Sequence, residues 1–494
     1  MCRPLLLFFL PASVLLTPAI KAGLPEAVEV GAKRFKEFPA GKEADAIVGD
    51  FLLRNNLIEA VVSHNTPRRR ANMGTFYGDG GETPGCLYDL TLRETDNDQL
   101  TIFAPLNQRG PVSYVRVAKD GQDGEAQVET IISAPTNKDI YKEHRYTVQN
   151  DWQGILISSS IRNEGTKPVI IRTAPPKKNP PASEKDPSEK KEKGPRRIQA
   201  HDIWTKFSVH DQHADISWAD AVDPADKSGY AFSWIEQQTT PIPAKEVTLS
   251  PGQSLSVSRF LAVGRSPAEA YGVVAALKGD TGACQGRVVN ALGKPCPDAV
   301  LTIQLADKKE IRAYPDAKGA FLFRLPTGSF PVKITAPGRN TVEATWDVTK
   351  DGALEKEIEL NAQSSIAFNV TDEAGNTLPC KAQFIGIGET KTPDLGPANR
   401  AHGCVDQYHS ESGRFEVPLA PGNYEVIVTR GIEFSHARTT VKVEPGKQAT
   451  VSARLRRLVD TTGWIRADFH NHSTPSGDNT CGTDDRLINL AAEH

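Results

Sequence analysis

Asp468, His470 and His472 stand two residues apart in the stretch Gly463-Trp464-Ile465-Arg466-Ala467-Asp468-Phe469-His470-Asn471-His472-Ser473. Trp464 to Phe469 predicts a strand, and on a strand alternate side chains share one side. The carboxylate and both imidazoles would then converge, with Phe469 turned the other way into apolar packing. Neutral imidazoles and a carboxylate suit a divalent transition metal such as Zn, Mn or Fe. The aspartate would ligate directly or fix a histidine tautomer from behind. Ser473 to Asp478 reads as a loop rich in turn residues. Thr483 then fits a helix N-cap, with Asp484 and Asp485 complementing the dipole in the first turn. Leu487, Leu490, Ala491 and His494 fall on one face of that helix. Strand, loop and helix make the first βα unit of a β/α barrel, where the C-terminal end of the strand carries the site.

This run of Asp, apolar residue, His-x-His-Ser, small-residue loop and helix resembles the first motif of the PHP (polymerase and histidinol phosphatase) superfamily. With Gly463-Trp464 ahead of it, it looks like the branch labelled CehA/McbA metallohydrolases. The resemblance spans 463–494. It implies a distorted (β/α)7 barrel with a multi-metal site that hydrolyses phosphoesters, or carboxylic and carbamate esters. It makes His470 and His472 ligands of the first metal and places Asp468 in the same shell. The substrate would be a small ester or phosphoester. The further His, Glu and Asp ligands of that family come from later strands, which do not follow here. The expectation is therefore a fragment of a metal-dependent hydrolase: an incomplete barrel, weak or absent metal, and no hydrolysis by this chain alone. Its uncovered tail should be poorly packed, with Ile465, Leu487, Ile488 and Leu490 exposing apolar surface.

Other candidate residues read more plainly. His201, His210 and His213 include an H-x-x-H spacing, but nothing around them is helical, so they read as strand or loop histidines. His402, Cys404 and His409 lie in a surface insertion. His64 and the glycine-rich Gly74 to Gly85 lack the Lys-Ser/Thr of a phosphate loop. Arg68-Arg69-Arg70, between Pro67 and Gly74, reads as a solvated loop.

What must position these residues is mainly β. Short runs of β-branched and apolar residues, such as Ile58 to Val62, Val112 to Val117 and Gly154 to Ile161, recur between turn signals from about Ala44 to Lys278. That spacing predicts a large two-sheet sandwich over 23–280. Residues 174–197, rich in Pro, Lys, Glu and Ser, form a disordered insert within it. An internal repeat follows. Gly319, Phe321, Phe323, Leu325, Gly328, Phe330, Val332 and Ile334 match Gly413, Phe415, Val417, Leu419, Gly422, Tyr424, Val426 and Val428. Each copy reads as a hairpin, turning at Pro326-Thr327-Gly328 or Ala420-Pro421-Gly422, with alternate residues facing a core.

In the first copy, Gly286-Arg287-Val288-Val289, Gly293-Lys294-Pro295, Ala299-Val300, Asp316 and Leu325-Pro326-Thr327-Gly328 resemble the carboxypeptidase regulatory-like domain. That family implies a small prealbumin-like, seven-stranded sandwich over 284–361, also grouped with carbohydrate-binding-like folds. The second module, 364–458, is a looser copy. Cys284 with Cys296, and Cys380 with Cys404, would fall within one module each and are candidate disulfides.

The N-terminus carries Arg3, an apolar run from Leu5 to Leu16 and small residues to Ala22, the layout of a signal peptide over 1–22. The run is too short to span a membrane. Export to a periplasmic or extracellular space is expected, where disulfides persist. A net charge of −3 over 494 residues gives no reason to expect nucleic acid. The other reading of the chain is a non-catalytic secreted protein of β-sandwich modules that binds polysaccharide or mediates adhesion.

Overall fold

The computed structural model describes residues 24–493 except 42, 72–81, 174–194, 206–208, 221–226, 237–244 and 474–480. The expected signal peptide, nearly all of the expected disordered insert, most of the glycine-rich stretch and His494 lie outside the described residues. The insert's last residues are strand: Arg196–Gln199 pairs in parallel with Val169–Arg172.

The large N-terminal unit is built on a six-stranded and an eight-stranded sheet, with a small three-stranded sheet beside them. Inward residues of the two large sheets form one core, including Phe51, Leu53, Phe103, Tyr146, Ile155, Ile157, Tyr230 and Leu261. Strand Gly154–Asn163 shows how the sequence dictates the layers. Ile155, Ile157 and Ile161 are buried, while Ser158 and Ser160 face outward. Arg69, expected in a solvated loop, is instead inside. Its guanidinium pairs with Asp50 at 2.7 Å and lies 4.5 Å over the Tyr88 ring. A run of charge is a weak guide to exposure when one member has a buried carboxylate to meet.

Helix α1, Pro267–Lys278, is absent from the sequence reading. Its start was legible in Ser266-Pro267-Ala268-Glu269. The Ser266 hydroxyl accepts from the Glu269 N–H at 3.2 Å, and proline occupies the first turn. The helix is buried nearly all round, which hides it from a search for an amphipathic stripe. Tyr271 packs edge-on to Trp218 at 5.7 Å. Gly272 lets the helix approach strand Ala320–Pro326 so closely that a Cβ there would sit 2.5 Å from the Arg324 carbonyl oxygen. Through α1, residues of the large unit and of the first module form one continuous core.

Each module has seven strands with one topology. In the first, Thr281–Asn290 is the centre of a three-stranded sheet and Val300–Gln304 and Gly328–Thr335 the centre of a four-stranded one. In the second, Ser365–Thr371, Cys380–Gly386 and Gly422–Thr429 take the same places. The repeat is thus structural. Its expected hairpin is not one: Ala320–Pro326 pairs with Thr281–Asn290, whereas Gly328–Thr335 pairs across the sandwich with Val300–Gln304. The turn carries the chain from one sheet to the other. Phe321, Phe323 and Leu325 still meet Phe330, Val332 and Ile334, but as opposing walls of the core. Alternation fixes which residues are buried, not which strand is the partner. Gly319 and Gly413 occupy matching positions with the same φ of 73°. A Cβ there would approach the carbonyl oxygens of Val288 and Leu378 to 2.4 and 2.1 Å.

Cys284, Cys296 and Cys380 are buried, and these three and Cys404 all carry free thiols, so the two expected disulfides are not present. Cys284 sits on the central strand of the first module's three-stranded sheet and Cys380 on an inner strand of the second module's four-stranded sheet, each among apolar neighbours, where a thiol packs as a small hydrophobe. Burial pushes each of these two up to about 12.

Candidate functional sites

The segment around the Asp-His-His motif differs from its expected form. Residues 464–469 form no strand, and Trp464, Ile465 and Phe469 are exposed, Phe469 by 98%. A strand needs a neighbour for its backbone groups, and no described strand lies alongside. The first βα unit of a barrel is therefore not formed. The rings of His470 and His472 nevertheless lie 4.9 Å apart, and an Asp468 carboxylate oxygen accepts the His470 N–H at 3.0 Å. Among the described residues no group of three or more His, Cys, Asp or Glu side chains is gathered for a metal ion. Two imidazoles are near each other; the carboxylate is engaged with backbone.

Helix α2, Thr483–Glu493, forms as expected but with another face inward. Ala492 is buried and Leu487 is exposed. The tail, expected to be poorly packed, rests on the second module. Asp485 accepts the Ala401 N–H at 2.8 Å, Arg430 donates to the Ala491 carbonyl at 3.1 Å, and Glu493 pairs with Lys381 and His409. Hydrogen bonds from these neighbours pull the Glu493 carboxyl down to about 2, His409 first and Lys381 after it. His409 is thus part of this dock. His402 pairs with Glu411 and stacks on Tyr408.

Inside the large unit, His144 Nδ1 lies 2.7 Å from the Ser159 hydroxyl. A serine beside a histidine can form a nucleophile, but His144 has no exposure and Ser159 only 4%. Burial holds this imidazole well below its ordinary value, with Lys142 and Arg259 adding to the effect. Nearby, Arg259 pairs with Asp202 at 2.9 Å, both side chains buried. No substrate reaches this network from solvent; it is a polar inclusion in a β core.

Two hollows on the surface of the described residues carry polar and charged linings. One, of about 290 Å³, lies at the seam between the large unit and the first module, lined by Asp211, Trp218, Asp220, Lys309 and Arg312. Its charges are mutually engaged: Lys309 with Asp211 at 2.9 Å, Arg312 with Asp220 at 3.4 Å, and the Tyr314 hydroxyl donating to Asp220 at 2.7 Å. The other lies on the outer face of the eight-stranded sheet. Three adjacent strands present Glu143 and Arg145, Ser158 and Ser160, and Ser256 and Ser258 in register. The hydroxyls of Ser158 and Ser258 are 3.3 Å apart, and the Tyr141 hydroxyl donates to Glu143 at 3.1 Å. Arg162 lies 4.7 Å over the Tyr141 ring. The sequence reading missed this face. Its signal was serine at alternate positions, Ser254, Ser256 and Ser258, opposite Ser158 and Ser160.

The carboxypeptidase regulatory-like domain matches residues 283–361. No curated protein matches the sequence. Among solved structures, the streptococcal ancillary pilin is 13% identical, with 47% of this chain and 75% of that one covered at a TM-score of 0.22. The shaft pilin of Lactobacillus rhamnosus GG is 13% identical, covering 36% and 97% at 0.23. Hydroxyquinol 1,2-dioxygenase from Pseudomonas putida DLL-E4 is 15% identical, covering 17% of this chain and 57% of its own at 0.15. A second dioxygenase, the 3-chlorocatechol enzyme of Rhodococcus opacus, is spanned over 60% of its length. Similarity at these TM-scores carries no functional argument. The chain is a mainly β protein of several β-sandwich units, one of them a carboxypeptidase regulatory-like domain. Among the described residues no helix is long and apolar enough to cross a membrane.

Proposed function

We propose that this chain is an exported, non-catalytic binding protein whose large β unit holds polysaccharide on the outer face of its eight-stranded sheet. The observation that carries this reading is the hydroxyl-lined hollow bounded by Glu143, Arg145, Ser158, Ser160, Ser256 and Ser258. Sugar hydroxyls both donate and accept, as serine hydroxyls do, and Arg145, paired with Glu143 and Glu129, keeps further guanidinium N–H groups that can donate to a sugar oxygen. Tyr141 at its margin offers a ring for the apolar face of a sugar. A rigid sheet holds these groups in place, so little ordering accompanies binding. The test is retention of the full chain on a panel of insoluble polysaccharides. Binding to at least one is expected, and Arg145→Ala and Tyr141→Ala should each weaken it about tenfold, ~1.4 kcal/mol. No retention on any member, or retention indifferent to both substitutions, removes this reading.

A second reading follows from the neighbouring rings of His470 and His472: the tail is the metal-binding start of a hydrolase, as its resemblance to the PHP superfamily implies. Two imidazoles, joined by Asp468 once its carboxylate leaves the His470 backbone N–H, would hold a divalent ion, which would supply an activated water when bound. Three donors fall short of the four in a closed zinc site, so affinity should be modest. Equilibrium dialysis of the full chain against zinc should find an equivalent that His470→Ala/His472→Ala loses. Uptake unchanged by that double substitution eliminates the second reading.

A further inference from the structure

The hydroxyl-lined hollow sits on a shelf whose charge pattern restricts what can lie there. Register sets two neighbouring rows of outward side chains across five strands of the eight-stranded sheet. One runs from Ser258 through Ser158, Arg145 and Glu129 to Arg116. The other runs from Ser256 through Ser160, Glu143 and Ile131 to Tyr114. Four strand spacings give a length of about 19 Å. At one end Ser258 is 3% exposed and pairs with Ile235, which packs against the core shared with the first module. At the other end Tyr114 is 40% exposed. The charges along the rows, and that of the adjoining Arg162, are matched within the shelf. Arg116 meets Glu129 at 2.5 Å. Arg145 lies 3.7 Å from the same carboxylate and also pairs with Glu143. Arg162 pairs with Glu164. Three guanidiniums thus face three carboxylates, and their charges cancel.

We infer that this shelf selects an uncharged polysaccharide over uronic-acid and amino-sugar chains. The inference rests on the proposed polysaccharide-binding role of the same face and adds to it the charge of the ligand. Glu129 is only 5% exposed, so its carboxylate depends on the two arginines that flank it. An acidic chain would have to draw Arg116 or Arg145 toward itself and leave that carboxylate short of a partner beside a new negative charge. A basic chain would bring a cation against those same arginines. Either exchange gives up an ion pair already made and sets like charges together. A sugar hydroxyl carries no such cost. It accepts from guanidinium N–H groups that the carboxylates leave free, and it exchanges hydrogen bonds with Ser158, Ser160 and Ser256. The hydroxyls of Ser256 and Ser160 are 3.4 Å apart, so a hydroxyl settling between them meets a donor and an acceptor.

The test measures retention of the full chain on cellulose, curdlan and starch, on polygalacturonate beads and on chitosan beads. Each is run at about 0.1 M and about 1 M salt, between which the screening length falls from about 10 Å to about 3 Å. At least one uncharged chain should hold the protein about tenfold better than either charged one. That retention should change less than about twofold with salt. Glu129→Gln removes one carboxylate and leaves the shelf with a net positive charge. It should gain retention on polygalacturonate at the lower salt and lose it at the higher. If this variant does not fold, Glu164→Gln makes the same change at a more exposed pair. Preference for a charged chain overturns the inference, as does salt-dependent retention on the uncharged ones or a folded charge variant that still ignores polygalacturonate. Each of these outcomes leaves the polysaccharide reading in place. Retention on none of the five chains removes that reading and this inference with it.

Discussion

Arg259→Met should lower the stability of the large β unit by about 3–5 kcal/mol, the cost of leaving one member of a buried ion pair without the other. Arg259 has no exposure, and it is the cation that meets Asp202 at 2.9 Å. The same Asp202 oxygen also accepts the Leu106 N–H at 2.9 Å. Removing the guanidinium leaves that carboxylate inside the protein with a single donor. It also removes the planar cation lying 5.4 Å over the Trp234 ring. Methionine keeps the unbranched apolar stem and loses only the end of the side chain, so most of the loss reports charge rather than a cavity. Urea denaturation followed by tryptophan fluorescence is a suitable measurement, since Trp152, Trp204, Trp218 and Trp234 all belong to this unit. Arg259→Met/Asp202→Leu, which removes both charges, should recover most of the loss. A single variant within 1 kcal/mol of the parent would show that water reaches Asp202.

Lys142→Met should act in the opposite direction, stabilising the protein by about 3 kcal/mol at neutral pH. Lys142 lies on the inward side of strand Ile140–Gln149, between the sheets. Burial, with the nearby charge of Arg196, pushes its ammonium down to about 8 from the usual 10.5. The unfolded chain therefore binds this proton more tightly than the folded one. Below pH 8 both states are charged and the folded state carries the whole cost, about 3 kcal/mol for a shift of that size. Between pH 8 and 10.5 the folded lysine is neutral while the unfolded one is still charged, so the cost shrinks as pH rises. Above 10.5 it is gone. The stability difference between Lys142→Met and the parent should thus be large at pH 7 and close to zero near pH 11. A difference that is constant over that range, or of opposite sign at pH 7, would mean that the ammonium has a partner or a path to water.

How far the sequence carries depends on the kind of information asked of it. Period-two alternation located the cores of both modules, because burial of Phe321, Phe323, Leu325, Phe330, Val332 and Ile334 is a local demand on each residue. It did not specify that the turn at Thr327 changes sheets, because a hairpin and a crossing turn need the same residues. Helix α1 went unseen because a helix buried on every side has no polar face to mark it. The rings of His470 and His472 lie near each other, but the stretch ahead of them makes no strand, since pairing depends on a neighbour the local sequence does not contain. The serine face was legible only in retrospect. Each serine is unremarkable along the chain and becomes a surface only when three strands are set in register.

The core shared through α1 bears on which parts of this chain could be exchanged for others. The second module has a core of its own, and its first strand begins only a few residues after the first module's last. It could be duplicated, lost or replaced with little disturbance to what precedes it. The first module has no such independence, since Trp218, Tyr271 and Phe323 belong to a single apolar cluster with the unit before it. A recombination event at residue 280 would cut through that cluster, whereas one near residue 362 would pass between closed surfaces. In this chain the large β unit and the first module therefore pack as one body, and the sandwich that follows is the separable part.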